Sequence, residues 1–373
     1  MQTAKVTDIS HKGLGVIEHS DGRKLFVEGA LPGDEIQYEV TELKKRFGFA
    51  KIIKIITPSA SRVTPECQYH GFKPGKCGGC AWMMIDYNYQ LDLKQNMLST
   101  QAERAGIEVK QLNPIQASPK VFGYRNRAQL KTDGEKLGFV SKSSKTLASI
   151  DECLVLNQKC NSLINQLNQS LPKSEWQPQG RFKWNYIEID DELNFEDIKI
   201  NKKTSFRQAN SDQNQFMKSW LNEKVKGFSK PTPVLELFSG DGNFTECLTD
   251  FSNVSAYEYS KSSIENLKLK YPHVTAESVN LFDKKSIKKI LSKHKDTELL
   301  ILDPPREGFS ELLSLVDGLE KLKTIIYVSC DPSTWSNDLK PLISNWSVSE
   351  LQAVDQFPHT PHVEILSLIE KNN

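Results

Sequence analysis

From Pro233 onward, short apolar runs alternate with helical stretches. A βαβ alternation of this kind commits the last third of the 373-residue chain to a largely parallel sheet with helices on its faces. The run at residues 323–328 (Lys-Thr-Ile-Ile-Tyr-Val) is apolar and rich in β-branched residues, as a strand buried on both faces requires. Open sheets of this type hold their ligands just beyond the carboxyl ends of the strands. Function is therefore expected to rest on the residues that follow each apolar run.

The first such run begins at Val234 and leads into Leu237-Phe238-Ser239-Gly240-Asp241-Gly242-Asn243, a Gly-x-Gly turn before a helix that lets a ligand approach the backbone. An acid, Glu258, closes the next run, where a carboxylate can accept hydrogen bonds from both hydroxyls of a ribose. One run later, Ser278-Val279-Asn280-Leu281-Phe282-Asp283 has polar contacts to offer an adenine. The Gly-x-Gly-x-x-Gly spacing of nicotinamide enzymes is missing. The fourth run ends in Asp303-Pro304-Pro305-Arg306-Glu307-Gly308, whose prolines make a stiff turn and aim Asp303 and Arg306 at the same edge. Cys330 follows the 323–328 run, and Asp331-Pro332-Ser333-Thr334 reads as a helix start with an acidic or hydroxyl cap and an early proline. A thiol at the positive end of a helix dipole is expected below the ordinary cysteine pKa of about 8.5, which favours the thiolate. An inert packed cysteine is the competing reading. Glu364 precedes a final strand at residues 365–369, and by itself reads as an ordinary surface acid.

Residues 1–58 follow a different pattern. Strand-like runs at 4–9, 14–18, 24–27, 35–40 and 48–56 are separated by turns such as Leu31-Pro32-Gly33-Asp34, and five strands at this spacing suit a closed barrel of the OB type. Lys44-Lys45-Arg46-Phe47-Gly48-Phe49 sets basic residues beside aromatics, a pairing that holds phosphates and stacks bases. After a Pro-Ser-Ala-Ser linker at 58–61 come Cys67 and then Cys77-Gly78-Gly79-Cys80, where two thiols two residues apart can grip one metal centre. Cys153 or Cys160 could supply a fourth ligand, and four thiolates suit zinc or an iron–sulfur cluster alike. Residues 86–106 read as an amphipathic helix stopped by Gly106, with Leu91, Leu98, Ala102 and Ala105 on one face. Residues 122–131 and 184–189 read as strands and 160–171 as a helix. Residues 59–150 carry 13 Lys/Arg against 7 Asp/Glu, an excess that suits a polyanion in a chain whose net charge is only +1. No apolar run approaches the roughly 20 residues of a membrane span, and the N-terminus lacks a signal-peptide core. The expectation is a cytoplasmic protein whose seven cysteines serve metal binding or catalysis rather than a disulfide framework.

These motifs together carry a resemblance. The strand, Gly-x-Gly turn and downstream acid resemble the class I S-adenosylmethionine methyltransferases, and Phe26-Val27-Glu28-Gly29-Ala30-Leu31-Pro32-Gly33-Asp34 resembles the signature of the TRAM domain, an RNA-binding barrel. Cysteines 67, 77, 80 and 153, Ser205-Phe206-Arg207-Gln208-Ala209-Asn210, the Leu237–Asn243 turn, Asp303-Pro-Pro-Arg306-x-Gly308, Ser329-Cys330-x-Pro332 and Phe357-Pro-His-Thr-x-His-Val-Glu364 occur in the order of the RNA (uracil-C5)-methyltransferase family. They cover nearly the whole chain and are most similar to the TRAM-bearing, iron–sulfur branch that modifies ribosomal RNA. The chain departs from that pattern in Asp331, where Asn is usual, in Ser239, where Cys is common, and in a long Cys67–Cys77 loop.

The resemblance implies an α/β fold: a C-terminal doubly wound methyltransferase sheet (206–373), an N-terminal TRAM-like OB β-barrel (1–58) and a central α+β cluster-binding domain (59–205). It implies that Gln208, Phe238, Asn243, Glu258, Asn280 and Asp303 contact S-adenosylmethionine, with Cys330 as nucleophile and Glu364 as general base. Cys67, Cys77, Cys80 and Cys153 would hold a 4Fe–4S cluster, with zinc as the alternative. The implied reaction is methylation of uracil C5 in RNA through a covalent Cys330–C6 bond. The expected partner is 23S ribosomal RNA, with transfer RNA as the alternative, and the expected enzyme is a monomer that does not associate with membranes. A rival enzyme class, the amino-group methyltransferases, uses a turn like Asp303-Pro304-Pro305, but Arg306 stands where those enzymes need an aromatic.

Overall fold

A computed structural model describes residues 2–142, 144 and 146–372. The first sheet has six strands, β1 (Gln2–Lys5), β2 (Asp8–Ile9), β3 (Gly15–Glu18), β4 (Lys24–Val27), β5 (Glu35–Leu43) and β6 (Phe47–Thr57), in the order β1-β5-β6-β4-β3-β2. The expected run at 4–9 is split because it serves both ends of this sheet: β1 pairs with β5 and β2 with β3. At the crossing, the Val6 N–H donates to Asp34 O (2.8 Å) and the Thr7 N–H to Val16 O (3.0 Å), which closes the sheet on itself. Inward-facing Ile17, Leu25, Val27, Ile36 and Tyr38 fill it. The Asp34 carboxylate is fully buried, accepts from the Leu31 and Ser59 N–H groups (2.8 Å each) and pairs with Arg62, so the barrel is fastened to the chain beyond it.

Helix α1 (Tyr87–Ala105) starts where Asp86 caps the N–H groups of Asn88 and Tyr89, and ends at Gly106, whose φ of 70° is left-handed. Strand β7 (Val109–Gln116) follows. A four-stranded sheet, ordered β10-β9-β8-β11, then forms from β8 (Arg127–Thr132), β9 (Leu137–Val140), β10 (Leu147–Ser149) and β11 (Asn185–Asp190). It packs against α2 (Gln158–Gln169) through Leu130, Ile187, Leu163 and Leu167. The strand expected from 122 begins only at Arg127. Before it, the backbone leaves the sheet to bond elsewhere: Gly123 and Arg125 N–H donate to Leu154 and Val155 O, and Asn126 N–H to Ala209 O.

The third sheet is built from β12 (Val234–Leu237), β13 (Val254–Glu258), β14 (Thr275–Ser278), β15 (Leu299–Leu302), β16 (Thr324–Ser329), β17 (Trp346–Val354) and β18 (Glu364–Lys371), with β7 added at one edge. The order is β14-β13-β12-β15-β16-β18-β17-β7. Neighbours from β14 to β16 are parallel, and β18 runs antiparallel between β16 and β17. Alternate residues feed two cores: Leu235 and Leu237 one, Val234 the other. The first core holds Leu98 and Ala102 of α1 and residues of α5 (Lys284–Lys293), α6 (Leu312–Gly318) and α7 (Pro332–Leu339), and the second holds residues of α3 (Ser211–Val225) and α4 (Lys261–Lys270). This is the expected doubly wound, three-layer arrangement. Helix α1 and strand β7, which the linear division at 205/206 assigns to the central region, belong to the catalytic sheet, because β7 pairs in parallel with β17 and α1 packs its apolar face on the same core.

Candidate active site

The chain order reverses direction across β12 and β15, and the crevice at a switch point of this kind lies beyond their carboxyl ends. Phe238 leaves β12 with φ 60°, an uncommon left-handed conformation for a bulky residue, and its ring packs 5.2 Å from Phe309 and 5.8 Å from Phe282. Gly240 has φ 53°, and a Cβ built there would meet nothing within 4 Å, so this backbone stands open to a ligand. Gly242 is needed for the opposite reason: a Cβ there would meet the Tyr271 ring at 2.7 Å. Glu258, half-buried at the end of β13, accepts from the Gly240 N–H (3.3 Å) and the Ser260 N–H (2.8 Å) and so closes one side of the turn. Asn243 forms a reciprocal amide pair with Asn214 of α3 (2.9 and 3.0 Å). Asn280 is exposed and accepts from the Phe282 N–H (3.0 Å). Ser239 Oγ and Asp241 Oδ1 are buried without a protein partner, two polar atoms in the turn that a bound ligand or water could satisfy. Below the turn, Glu236 is buried and accepts from the Thr245 hydroxyl (2.6 Å), and burial, reinforced by Asp303, pushes its carboxyl up to about 8.

The chemistry sits two strands away. Asp303 follows β15, and the turn to Gly308 (φ 76°) is pinned by Asp338, which accepts from the Phe309 N–H (2.6 Å) and the Tyr327 hydroxyl (2.5 Å). Cys330 follows β16. Because Ser329 faces Ile365 in the antiparallel β16–β18 ladder, the next residue along, Cys330, lies at the level of Glu364. Two residues 34 positions apart thus meet at one rim, each within electrostatic reach of the other and of Asp303 and Arg306. Glu364 is buried, contrary to the reading of an isolated surface acid, and loss of solvent followed by the Asp303 charge pushes it up to about 8. Asp303 is pushed up to about 7 by burial.

The expectation that Cys330 is a thiolate is reversed in the free enzyme. Asp331 caps α7 as foreseen, accepting from Ser333 and Thr334 N–H, yet burial and then the Glu364 and Asp303 charges push the Cys330 thiol up to about 12, against which Arg306 acts only in part. Burial and two like charges outweigh the end of an eight-residue helix.

Gln208 approaches from the chain before α3 and accepts from the Gln356 amide (2.9 Å), which lies in the segment that leads to Glu364. Sequence reasoning missed Asn214, Glu236 and Asp338. The first is remote in sequence from Asn243, and the other two act beneath the turns rather than in a motif. An acid inside the apolar Val234–Leu237 run was the one available signal for Glu236.

At the other end of the central region, Cys67, Cys77, Cys80 and Cys153 line one cavity, beside Tyr69, Met83 and Val155. All four are free cysteines, and burial raises the thiols of Cys77, Cys80 and Cys153. Cys160, the other candidate for the fourth position, is buried in α2 with its thiol toward Asn126 O (3.2 Å). Among the described residues, no three His, Cys, Asp or Glu side chains close tightly enough to hold a single metal ion.

An open doubly wound sheet with a glycine turn, a carboxylate on its flank and a thiol–acid pair at its rim defines a class I methyltransferase fold. Comparison with known proteins makes the class specific. The tRNA (uracil-5-)-methyltransferase family model matches residues 181–372, and the TRAM domain model matches residues 1–53. An uncharacterised RNA methyltransferase of Nitrosomonas europaea is 41% identical, over 98% of this chain and 96% of that protein. A 23S rRNA (uracil(1939)-C(5))-methyltransferase of Halomonas elongata is 31% identical, over 98% of this chain and 88% of that protein. Pyrococcus abyssi tRNA (uracil-54, C5)-methyltransferase, solved in complex with S-adenosyl-L-homocysteine, shares the fold with a TM-score of 0.74 at 24% identity, over 99% of this chain and 100% of that one. The chain belongs to the RNA uracil-C5 methyltransferase family. Among the described residues, no helix is long and apolar enough to cross a membrane.

Proposed function

We propose that this protein transfers a methyl group from S-adenosylmethionine to C5 of a uridine in 23S ribosomal RNA. The observation that carries the reading is the convergence of Cys330 and Glu364 across the β16–β18 ladder, at the rim shared with the Gly240 turn. S-adenosylmethionine, when bound, supplies an electrophilic methyl group and a positive charge beside Cys330, Glu364 and Asp303, whose ionisation burial opposes. Gly240, Glu258, Asn243 and Phe238 would hold it on one side and Gln208, Asn280 and Asp303 on the others; the unsatisfied Ser239 and Asp241 atoms fit a ligand here.

Uracil C5 is a weak nucleophile. Cys330 first gives up its proton to solvent, favoured by Arg306 and by the positive charge that the bound donor would bring. The thiolate adds to C6, and the electron pair of the C5=C6 bond becomes available at C5, which takes the methyl group while the donor sulfur keeps the bonding pair. Glu364 then removes H5, the C5=C6 bond re-forms, and the C6–S bond breaks to return the thiolate. The target base must be unpaired or extruded from its helix to reach this rim. A groove of about 1100 Å3 between the barrel and the cysteine segment, lined by Phe26, Phe49, Phe72, Lys12, Lys51 and Lys73, offers stacking faces and phosphate contacts for the flanking RNA. The choice of ribosomal RNA rests on relatives named for it at up to 31% identity along the full chain.

The four cysteines would hold a 4Fe–4S cluster as a structural cross-link of the 67–80 segment to the sheet that precedes α2. Four sulfurs lining one cavity fit a four-thiolate group, and the order of the family's motifs along the chain favours the cluster over zinc. The test of the reading is incubation with total RNA and methyl-labelled donor, followed by nucleoside analysis and mapping. The expected product is 5-methyluridine in 23S RNA; label on an exocyclic amino group, or none on RNA, would refute it.

A further inference from the structure

The segment between β17 and β18, residues 355–363, delivers Glu364 to the rim, and it is held by a charge that the reaction does not use. Lys94 of α1 and Asp355 are both fully buried and form an ion pair. Lys94 also donates to Phe357 O (3.1 Å), and Asp355 accepts from the Tyr87 hydroxyl (2.7 Å), which itself accepts from the Ser118 N–H (2.9 Å). Asp355 directly follows Val354, the cross-strand partner of Glu364.

One turn earlier in α1, Gln90 grips the same segment. Its amide oxygen accepts from the His359 N–H (2.8 Å), and its amide nitrogen lies 3.2 Å from His359 Nδ1. His359 has φ 66°, a conformation rarely adopted without outside support, and its carbonyl accepts from the Trp82 N–H (2.8 Å). Replacement of both partners by well-packed apolar residues of similar volume is commonly neutral or stabilising, so the pair is not explained by stability. What it does is fix, by directional bonds at both ends, a bend that packing alone would leave free.

We infer that Lys94 and Asp355, with Gln90 and Tyr87, form a clamp that positions Glu364 for removal of H5; they are positioning residues and touch neither substrate nor donor. This rests on reading Glu364 as the base. The helix that carries the clamp follows the cysteine segment through Trp82 and Asp86, so the cysteine region and the base share one mechanical support.

The experiment uses the full-length protein and RNA containing either uridine or 5-fluorouridine, whose C5 substituent cannot be removed as a proton. Lys94→Met is expected to lower kcat about 10- to 100-fold with KM for RNA and donor within about twofold. It should still form the covalent adduct with fluorinated RNA, and should accumulate a methylated adduct on ordinary uridine. Tyr87→Phe, which keeps the packed ring, should shift the same readouts in the same direction by about three- to tenfold. Lys94→Met/Asp355→Asn removes the uncompensated charge and tests the clamp if the single variant does not fold. Wild-type kcat in folded Tyr87→Phe and Lys94→Met/Asp355→Asn, or loss of adduct formation in parallel with turnover, would overturn the inference. Glu364→Gln is the separate control: failure of that variant to accumulate adduct would remove the base reading itself, whatever the clamp variants do.

Discussion

Replacement of Glu364 by Gln separates two steps that occur at one rim. In the wild-type free enzyme the carboxyl is pushed up to about 8 by burial and the Asp303 charge. At pH 7 roughly one such group in ten is ionised, and at pH 9 roughly nine in ten, so tritium release from the preformed methylated adduct, a step that comes after ionisation of Cys330, should rise about tenfold over that interval if the carboxylate is the base. Gln keeps the shape and removes the base. A positioned general base contributes about 10²- to 10⁴-fold, which is about 2.7 to 5.5 kcal/mol of barrier. The same change removes the carboxylate that opposes ionisation of Cys330 whenever Glu364 is itself ionised, so bond formation at C6 should not slow. The assay follows two labels, tritium at C5 released to water and a methyl label gained by RNA. Wild-type enzyme should show both in equal amounts. Glu364→Gln should take up about one methyl per enzyme, release almost no tritium and retain RNA covalently through denaturation. Tritium release at more than a tenth of the wild-type rate would refute the assignment of the base.

Three further outcomes follow from the same structure. Glu236 holds a proton in the native state up to about pH 8 that the unfolded chain releases near pH 4.5, so the native state binds more protons across that window and stability falls as pH rises through it. The penalty at pH 8 is on the order of 3 to 5 kcal/mol, and Glu236→Gln should raise Tm at pH 8 more than at pH 5; an equal shift at both would contradict the burial argument. Cys153→Ser should abolish bound iron and its visible absorption after anaerobic reconstitution while Cys160→Ser leaves both intact; equal iron in the two variants would exclude Cys153 as a ligand. Phe49→Ala should weaken RNA binding by about 1 to 3 kcal/mol with KM for the donor unchanged, and unchanged RNA affinity would remove Phe49 from the RNA path.

Much of this architecture was legible because its signals are local. The β12 and β15 runs are short, apolar and followed by glycine or proline turns, and Asp86 and Gly106 mark the ends of α1. What stayed hidden was set by pairing between distant segments. Nothing in Val109–Gln116 says that it completes a sheet begun 125 residues later, because a strand's partner is chosen by the edge left open rather than by its own pattern. Glu364 read alone as a surface acid because its burial comes from β16 and β17, not from its neighbours in sequence. The Cys330 thiol was expected below its ordinary pKa from its helix, and lies above it because it is buried and because two carboxyls from other strands share its pocket. Lys94 fell on the apolar face of α1 between Leu91 and Leu98, where only a charge from the far end of the chain could make a lysine tolerable.

The covalent route is tested most directly by the mass of the peptide that carries Cys330, after incubation with S-adenosylmethionine and RNA containing 5-fluorouridine. The expected result is a stable adduct on Cys330 whose mass includes both the nucleotide and the transferred methyl, absent from Cys330→Ala, which also makes no 5-methyluridine. An unmodified Cys330 peptide alongside continued methylation, above all in Cys330→Ala, would show that uracil is methylated here without the thiol.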